Sequence, residues 1–210
     1  MPAFAEVNLV AQHPDMQTLD GIWQRVLKCA KAGALATETR LEVVQSTNYA
    51  NTLPNDALTA LVSRNMKKAG GYEYTADERK FAEAFRRPAI DENPAGPEQA
   101  LADTSEAPGV ASTDVGDVSW NLPTVGFTAA TYAPGTSAHS WQAAAQAGTS
   151  IGRKGMLVAA RTLALSAIEL IENPSQIDAA KTSFEKRKAG RAWTTRIAAG
   201  SKPPLDYAMK

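Results

Sequence analysis

Residues 155–171 read GMLVAARTLALSAIELI, a run whose only charged members are Arg161 and Glu169. Alanine, leucine and methionine favour a helix, and a helix that is apolar on nearly every side is normally buried. In many folds such a helix covers a sheet, so the run predicts a buried helix in a protein that also contains strands. We therefore expect segments with strand character elsewhere in the chain.

Three other segments have the composition and alternation of strands, namely 5–11, 39–47 and 125–132. Between the first two, residues 17–32 carry an apolar stripe at three-and-four spacing, and Gly33 follows as a C-terminal stop. The stripe consists of Leu19, Ile22, Trp23, Val26, Leu27 and Ala30. The order strand, helix, strand predicts a β-α-β unit and an α/β fold.

Capping signals predict two further helices. Asn55 precedes a periodic apolar run that stops at Gly70, and Thr75 forms a capping box with Glu78 before the next helix. Residues 88–108 are acidic, poor in large apolar side chains and punctuated by prolines, so they predict a flexible surface loop.

The composition indicates a globular protein without a partner selected by charge. The chain has 210 residues, 44% of them hydrophobic, and its 22 Lys and Arg balance 22 Asp and Glu. A neutral chain has no net field that attracts nucleic acid or an anionic membrane surface. The single cysteine, Cys29, allows no internal disulfide, and no signal peptide or membrane span is recognisable. We expect a soluble, cytoplasmic protein with no nucleic-acid or membrane partner.

The two histidines each allow two interpretations. His13 and Asp15 form an H-x-D pattern that would suit a metal, whereas Asp15 is also well placed to cap the helix that follows. His139 lies in a loop of small residues, where functional side chains are often presented. A lone loop histidine is otherwise a polar surface residue, because one ligand does not make a metal site.

Two polar segments are also open to more than one interpretation. Asp114 and Asp117 would share one face of a helical turn and point into a cleft, or would be acidic residues at the positive end of a helix. Residues 150–155, SIGRKG, would bind an anion at a helix start, although the start of a helix explains them equally well. The sequence contains no Walker motif, Rossmann fingerprint or nucleophile elbow.

Four segments, in order along the chain, resemble the C-terminal region of the metal-dependent amidohydrolases of the aminoacylase, carboxypeptidase G-like and aminobenzoyl-glutamate hydrolase family. They are ASTDVGDVSW at 111–120, PT at 123–124, AHSWQ at 138–142 and GRKGM at 152–156. The segments that are similar to the end of this family's lid domain and its return to the catalytic domain are 13–16, 19–23, 30–37 and 51–55. The resemblance covers nearly the whole chain.

The resemblance implies an α/β fold, with the C-terminal part of a catalytic α/β domain preceded by the end of an α+β lid, or dimerisation, domain. The lid would comprise residues 1–50 and the catalytic part residues 51–210. His13 would then lie in the lid, away from the metals.

The same resemblance makes His139 the family's last metal ligand. The residues that would line the cleft near it and help to orient the ligands are Ser112, Asp114 and Asp117. The family's other ligands and its general base are expected upstream of Met1, so no catalytic residue is identified. A divalent zinc or manganese ion is expected for the complete enzyme only.

By resemblance, the complete enzyme hydrolyses the amide bond of N-acyl or N-aroyl amino acids such as aminobenzoyl-glutamate with a metal-activated water. This chain would be an incomplete C-terminal portion that pairs with a second copy through the lid or with a separate N-terminal half. The alternatives are a non-catalytic subunit or remnant, and an unrelated α/β domain. Because part of a domain would expose sheet edges and the helix at 155–171, we expect marginal solubility or obligate association.

Overall fold

The structure is a computed structural model that describes residues 4–85, 113–195, 197 and 199–202. Within these residues the chain forms seven helices and no strand. In chain order the helices are α1 (Met16–Ala36), α2 (Asp56–Ala69), α3 (Ala76–Phe85), α4 (Val115–Ser119), α5 (Trp141–Ala147), α6 (Ser150–Glu172) and α7 (Pro174–Lys188). The loop predicted at 88–108 lies outside the described residues.

The predicted α/β fold is wrong for the described part of the chain. The segments 5–11, 39–47 and 125–132 have no regular secondary structure, and Val10 and Val44 are 84% and 79% exposed. Alternating apolar residues identify a segment that could lie half-buried in a sheet, but a strand also needs a neighbour that takes its backbone hydrogen bonds. None of these segments has such a neighbour among the described residues, so the β-α-β unit and the sheets of the expected lid and catalytic domains do not form there.

The chain divides into two compact units. Unit 1 contains the described residues of Met1–Leu53, Ala107–Leu122 and Lys188–Lys210, and unit 2 contains those of Pro54–Glu106 and Pro123–Arg187. Unit 1 therefore holds α1 and α4, while unit 2 holds the other five helices, α7 as far as Arg187. In the described part of the chain, no helix has both the length and the hydropathy that a membrane span requires.

In unit 1, α1 begins where its cap was predicted. Asp15 accepts a hydrogen bond from the Thr18 backbone N–H at 2.7 Å, which satisfies one of the free donors of the first turn. Hydrogen bonding to the Thr18 side chain, and then to its backbone, lowers the pKa of Asp15. The helix passes Gly33 and ends where Thr37 donates its hydroxyl to the Gly33 carbonyl oxygen. No residue of α1 is fully buried, and its predicted apolar stripe is half-buried.

In unit 2, α2 and α6 pack side by side, and both predicted caps of α2 are confirmed. Asn55 accepts from the Leu58 N–H at 3.1 Å, and Gly70 ends the helix with a φ of 72°. At the polar edge of the contact, the Arg64 guanidinium and the Asn65 amide both donate to Glu169, and together they lower the pKa of that carboxyl.

The packing of α7 fixes the start of α2. The Asn55 amide donates to the Ala180 carbonyl oxygen at 2.8 Å, and Arg187 binds Asp56 with N and O atoms 2.7 Å apart. Phe184 contributes a buried ring on the same helix. These bonds hold residues far apart in the sequence, which capping signals alone do not predict.

The segment that precedes the His139 loop lies directly against α6. The Ala130 carbonyl oxygen accepts a hydrogen bond from the Tyr72 hydroxyl at 2.7 Å and faces Gly155 of α6. A methyl group on Gly155 would overlap this oxygen, so the missing side chain is what allows the close approach. The same is true at Gly152, where the neighbour is the Ala147 carbonyl at the end of α5.

We predict that Gly155→Ala lowers the free energy of unfolding by about 1 to 3 kcal/mol, because the added methyl group and the Ala130 carbonyl cannot occupy the same space. Gly21→Ala is the matched control. Gly21 lies in α1 with nothing within 4 Å of the position of an added methyl group, so the substitution there should stabilise by up to about 1 kcal/mol. Urea denaturation followed by circular dichroism measures both. Equal effects at the two glycines would contradict the close packing on α6.

Candidate functional site

His139 stands on an exposed loop immediately before α5, in an unusual backbone conformation. Its φ is 56°, in the left-handed region that glycine adopts readily and other residues rarely do. Such a conformation persists only when the surrounding structure enforces it. The neighbours of His139 therefore decide whether the imidazole is presented in a fixed position.

Two side chains fix the loop around His139. Ser140 caps α5 by accepting from the Ala143 N–H at 3.2 Å, and it donates its hydroxyl to the Ser137 carbonyl oxygen. Gln146 is completely buried beneath the loop. It accepts from the Ala133 N–H and donates to the Thr136 hydroxyl, each at 2.9 Å. The loop is thus tied on both sides of His139 while the imidazole itself is exposed.

Sequence reasoning missed Gln146. Its signal is weak, because the alanine-rich α5, WQAAAQA, contains two glutamines, of which Gln142 is half-exposed and Gln146 is buried. A buried amide in such a helix needs polar partners, and here they come from the preceding loop. Its bonding partners were not predictable without knowing how the loop folds back on α5.

Asp117 is half-buried and accepts a hydrogen bond from the backbone within unit 1. Its carboxylate accepts from the Ala50 N–H at 2.7 Å. Two neighbours act in the same way, since the Ser119 hydroxyl accepts from the Leu53 N–H at 2.8 Å and the Trp120 indole donates to the Asn51 carbonyl oxygen at 2.8 Å. The α4 region therefore holds the backbone of residues 50–53 through three separate bonds.

The remaining predicted site residues are Asp114 and Ser112. Asp114 is exposed at the start of α4 and makes no side-chain capping bond there, and Ser112 lies outside the described residues. Asp114 thus flanks the short helix α4 at its N-terminus and Asp117 lies in its first turn, which is the position that the electrostatic alternative required. His139 belongs to unit 2 and the two aspartates to unit 1.

His13 bonds locally. Its Nδ1 accepts from the Asp15 N–H at 3.0 Å, and the Asp15 carboxylate caps α1. The capping interpretation of Asp15 is therefore confirmed. Across the described residues, no three His, Cys, Asp or Glu side chains lie together in a way that could hold a metal ion.

A buried carboxylate, Glu78 of α3, contacts the start of α6. Glu78 forms the predicted capping box with Thr75, accepting from its N–H at 2.7 Å. The same carboxylate accepts from the Ser150 hydroxyl at 2.5 Å and from the Lys154 ammonium at 2.6 Å. Residues 150–155 therefore form the start of a helix, and the anion that Ser150 and Lys154 bind there is the Glu78 carboxylate of the chain itself.

This bonding sets the electrostatics of Glu78. The hydrogen bond from Lys154 lowers its pKa most, followed by those from Ser150 and the Thr75 backbone, and they outweigh burial to bring the pKa to about 2. Lys154 also donates to the Glu73 carbonyl oxygen at 2.9 Å. Both charges are satisfied within the cluster, which makes it a structural joint between α3 and α6.

Comparison with known proteins confirms the predicted resemblance. The chain is 31% identical over 194 residues to one of the subunits of p-aminobenzoyl-glutamate hydrolase of Escherichia coli (strain K12), a match that covers 80% of this chain and 40% of that protein. It is 26% identical over 188 residues to Xaa-Arg dipeptidase of Mus musculus, covering 88% of this chain and 37% of that protein. The chain is a relative of these amidohydrolases and peptidases, and both are named as hydrolytic enzymes, as the predicted enzyme class requires.

The match covers less than half of each relative. The chain spans 40% and 37% of the lengths of these two relatives. No family model and no solved structure matches it.

We predict that Glu78→Gln removes an acid-sensitive part of the stability. Because folding lowers the pKa of Glu78 from 4.5 to about 2, its contribution to the free energy of unfolding is complete above pH 4.5 and is lost as the pH falls toward 2. The variant should be less stable at neutral pH and should lose less stability across this range. Urea midpoints between pH 6 and pH 2, on the order of one reading per half unit, test this. The exposed Asp77→Asn is the control, and a variant slope equal to that of the wild type would refute the prediction.

We also predict that Gln146→Ala loosens the His139 loop. The substitution leaves the buried Ala133 N–H without its acceptor, so the free energy of unfolding should fall by about 1 to 3 kcal/mol. Amide exchange at residues 133–140 should accelerate, whereas exchange in α1 should not. Gln142→Ala in the same helix is the control. Unchanged exchange in the loop would show that Gln146 does not hold it.

Proposed function

We propose that this chain is part of a metal-dependent amidohydrolase that cleaves the amide bond of N-acyl or N-aroyl amino acids, with p-aminobenzoyl-glutamate as the first candidate substrate. The observation that carries the proposal is the 31% identity to the E. coli p-aminobenzoyl-glutamate hydrolase protein over 80% of the chain. The substrate class follows from that relative's name, and the dipeptidase match supports an amide bond as the target.

Within this proposal His139 supplies one metal ligand. Imidazole is a common ligand for zinc and manganese, and the loop presents it exposed and tied on both sides. The left-handed backbone at His139 is a strained feature of the kind that clusters at functional sites. These observations support a ligand role over a plain surface role.

The described residues do not fit a complete metal centre. A hydrolytic zinc site needs about three protein ligands and an open position for water, and the described residues bring no three suitable side chains together. No hydrolytic step can be derived from His139 alone. The remaining ligands and the general base would then come from outside the described residues, and we propose that the part of the relatives that this chain does not span supplies them.

Asp114, Asp117 and Ser112 are proposed to form or brace the cleft near the metal. The contact between Asp117 and the Ala50 backbone supports a bracing role, since it fixes a backbone segment instead of leaving the carboxylate free. We further propose that residues 1–50 derive from the lid, or dimerisation, part of the enzyme and residues 51–210 from its catalytic part.

A second candidate is a non-catalytic subunit or remnant. Two observations favour it: the described residues contain no cluster of three potential ligands, and the E. coli relative is itself named a subunit. Metal binding and hydrolysis distinguish the two candidates.

The test uses a hybrid protein in which this chain replaces the matching region of the E. coli relative. We expect the hybrid to bind zinc or manganese and to hydrolyse p-aminobenzoyl-glutamate, while calorimetry of the 210-residue chain alone shows no tight binding. His139→Ala should weaken metal binding in the hybrid by about 100-fold or more, beyond what residues that only orient ligands cause. His13→Ala is the matched control and should change neither quantity.

Each outcome has a distinct meaning. Equal metal affinity in the His139 and His13 variants would exclude His139 as a ligand. Tight binding by the chain alone that His139→Ala abolishes would mean that the chain builds its own metal site. A folded hybrid that neither binds metal nor hydrolyses the substrate would support the non-catalytic candidate.

A further inference from the structure

Three aromatic side chains form a row beside the His139 loop. The rings of Phe81 and Phe85, one turn apart on α3, have centroids 4.7 Å apart and planes tilted by 49°. Phe85 in turn makes an edge contact with the Trp141 indole of α5, with centroids 5.8 Å apart and planes at 63°. Both phenylalanines are half-buried, whereas Trp141 is 70% exposed. The row therefore ends in an indole that meets solvent.

Trp141 is held in place although most of it is exposed. It is the first residue of α5, and Ser140 fixes the start of that helix by accepting from the Ala143 N–H at 3.2 Å. The edge contact with Phe85 restricts the indole itself. Tryptophan is highly buried on average, and its two side-chain torsions leave little conformational freedom to lose when another molecule binds. A large, exposed and oriented indole is therefore suited to contact a ligand.

The indole also belongs to the same braced segment as His139. Trp141 follows His139 by two residues, and two residues of extended chain span at most about 7 Å. Between them, Ser140 donates its hydroxyl to the Ser137 carbonyl oxygen, and Gln146 ties the preceding part of the loop to α5. All of these residues lie in unit 2. A small substrate whose reacting bond lies beside His139 would thus reach Trp141 with its acyl group.

An aromatic ring suits this end of the row better than an alkyl chain does. Aromatic rings pair edge-to-face or offset at centroid distances of about 4.5 to 7 Å, and they gain attraction beyond that of the area they bury. The two contacts inside the row, at 4.7 and 5.8 Å, have such distances, so a further ring on Trp141 would continue the row. The acyl group of the substrate proposed above, p-aminobenzoyl-glutamate, is such a ring.

We propose that Trp141 binds the aromatic ring of an N-aroyl substrate and thereby determines the preference for aroyl over alkyl acyl groups. The inference rests on the proposed function, because it identifies the residue that selects the acyl group at the same site. Phe85 is a positioning residue, since it contacts the indole and acts on the substrate only through it. Helices α3 and α5 then both contribute to specificity.

The first experiment compares two substrates in the hybrid of this chain with the E. coli relative. p-Aminobenzoyl-glutamate and N-acetyl-glutamate share the amide bond and the glutamate and differ only in the acyl group. Trp141→Ala should lower kcat/KM for the aroyl substrate by about tenfold or more and change that for the acetyl substrate by less than about twofold. The loss should lie in KM, because the ring takes no part in the bond that breaks. Trp141→Phe, which keeps an aromatic face, should retain most of the preference.

Phe85→Ala tests the positioning role. It should lower kcat/KM for the aroyl substrate by a smaller factor, and it should add little when Trp141 is already alanine, because Phe85 acts through the indole. Leu35→Ala is the control for loss of an exposed apolar side chain. Leu35 is 82% exposed in α1, and its substitution should leave the ratio of the two kcat/KM values unchanged.

A binding measurement separates this inference from hydrolysis. Calorimetry with the His139→Ala hybrid measures the Kd of p-aminobenzoyl-glutamate without turnover. Adding Trp141→Ala should raise that Kd by about tenfold or more and leave the Kd of N-acetyl-glutamate unchanged. If the ring binds through Trp141 while the hybrid with His139 intact shows no hydrolysis, the proposed function fails and the assignment of Trp141 stands.

Two results would overturn the assignment of Trp141. One is an equal change of kcat/KM for both substrates, or no change for either. An equal loss together with a lower midpoint of thermal unfolding would mean that the indole packs against another part of the polypeptide. The other is a folded hybrid that does not bind p-aminobenzoyl-glutamate, or that binds it with the same Kd whether or not Trp141 is present.

Discussion

The packing of unit 2 depends on the close approach of backbone to α6 at Gly152 and Gly155. At both positions a carbonyl oxygen occupies the space that a side chain would fill, from Ala147 at the end of α5 and from Ala130 in the preceding segment. These two contacts place both borders of the His139 loop on one rigid helix. The packing on α6 therefore fixes the conformation of the loop, and this packing maintains the left-handed backbone of His139.

Buried polar groups also hold the elements of unit 2 together. Gln146 ties the loop to α5, and Glu78 ties α3 to α6 with one carboxylate that accepts bonds from Ser150 and Lys154. An unpaired carboxylate at this depth would be costly, whereas a fully bonded one is directional and fixes how α3 meets α6. Such groups specify position more than they add to stability.

Local signals in the sequence predicted the helices well and the strands badly. Asp15, Asn55 and the Thr75–Glu78 pair each act within one turn, so residue type and spacing suffice to identify the helix starts. A strand depends on a partner that is remote in sequence, and alternating residues at 5–11 and 39–47 cannot supply one. The helix at 155–171 was correct as a helix, but its packing against a sheet was wrong because periodicity does not name the neighbour.

The site shows the same division. His139 was singled out by its loop and by resemblance, and its exposed, braced position agrees with a presented side chain, while Gln146 and the bonds of Asp117 depend on tertiary contacts. Two further features of the described residues are independent of each other: they lack three clustered ligands, and α6 exposes Leu163, Ile168 and Ile171 although it buries Ile151 and Val158. The first is a chemical requirement and the second a packing requirement. Neither requirement can be read from residue spacing, because metal ligands and packing partners are brought together by contacts between residues that are remote in sequence.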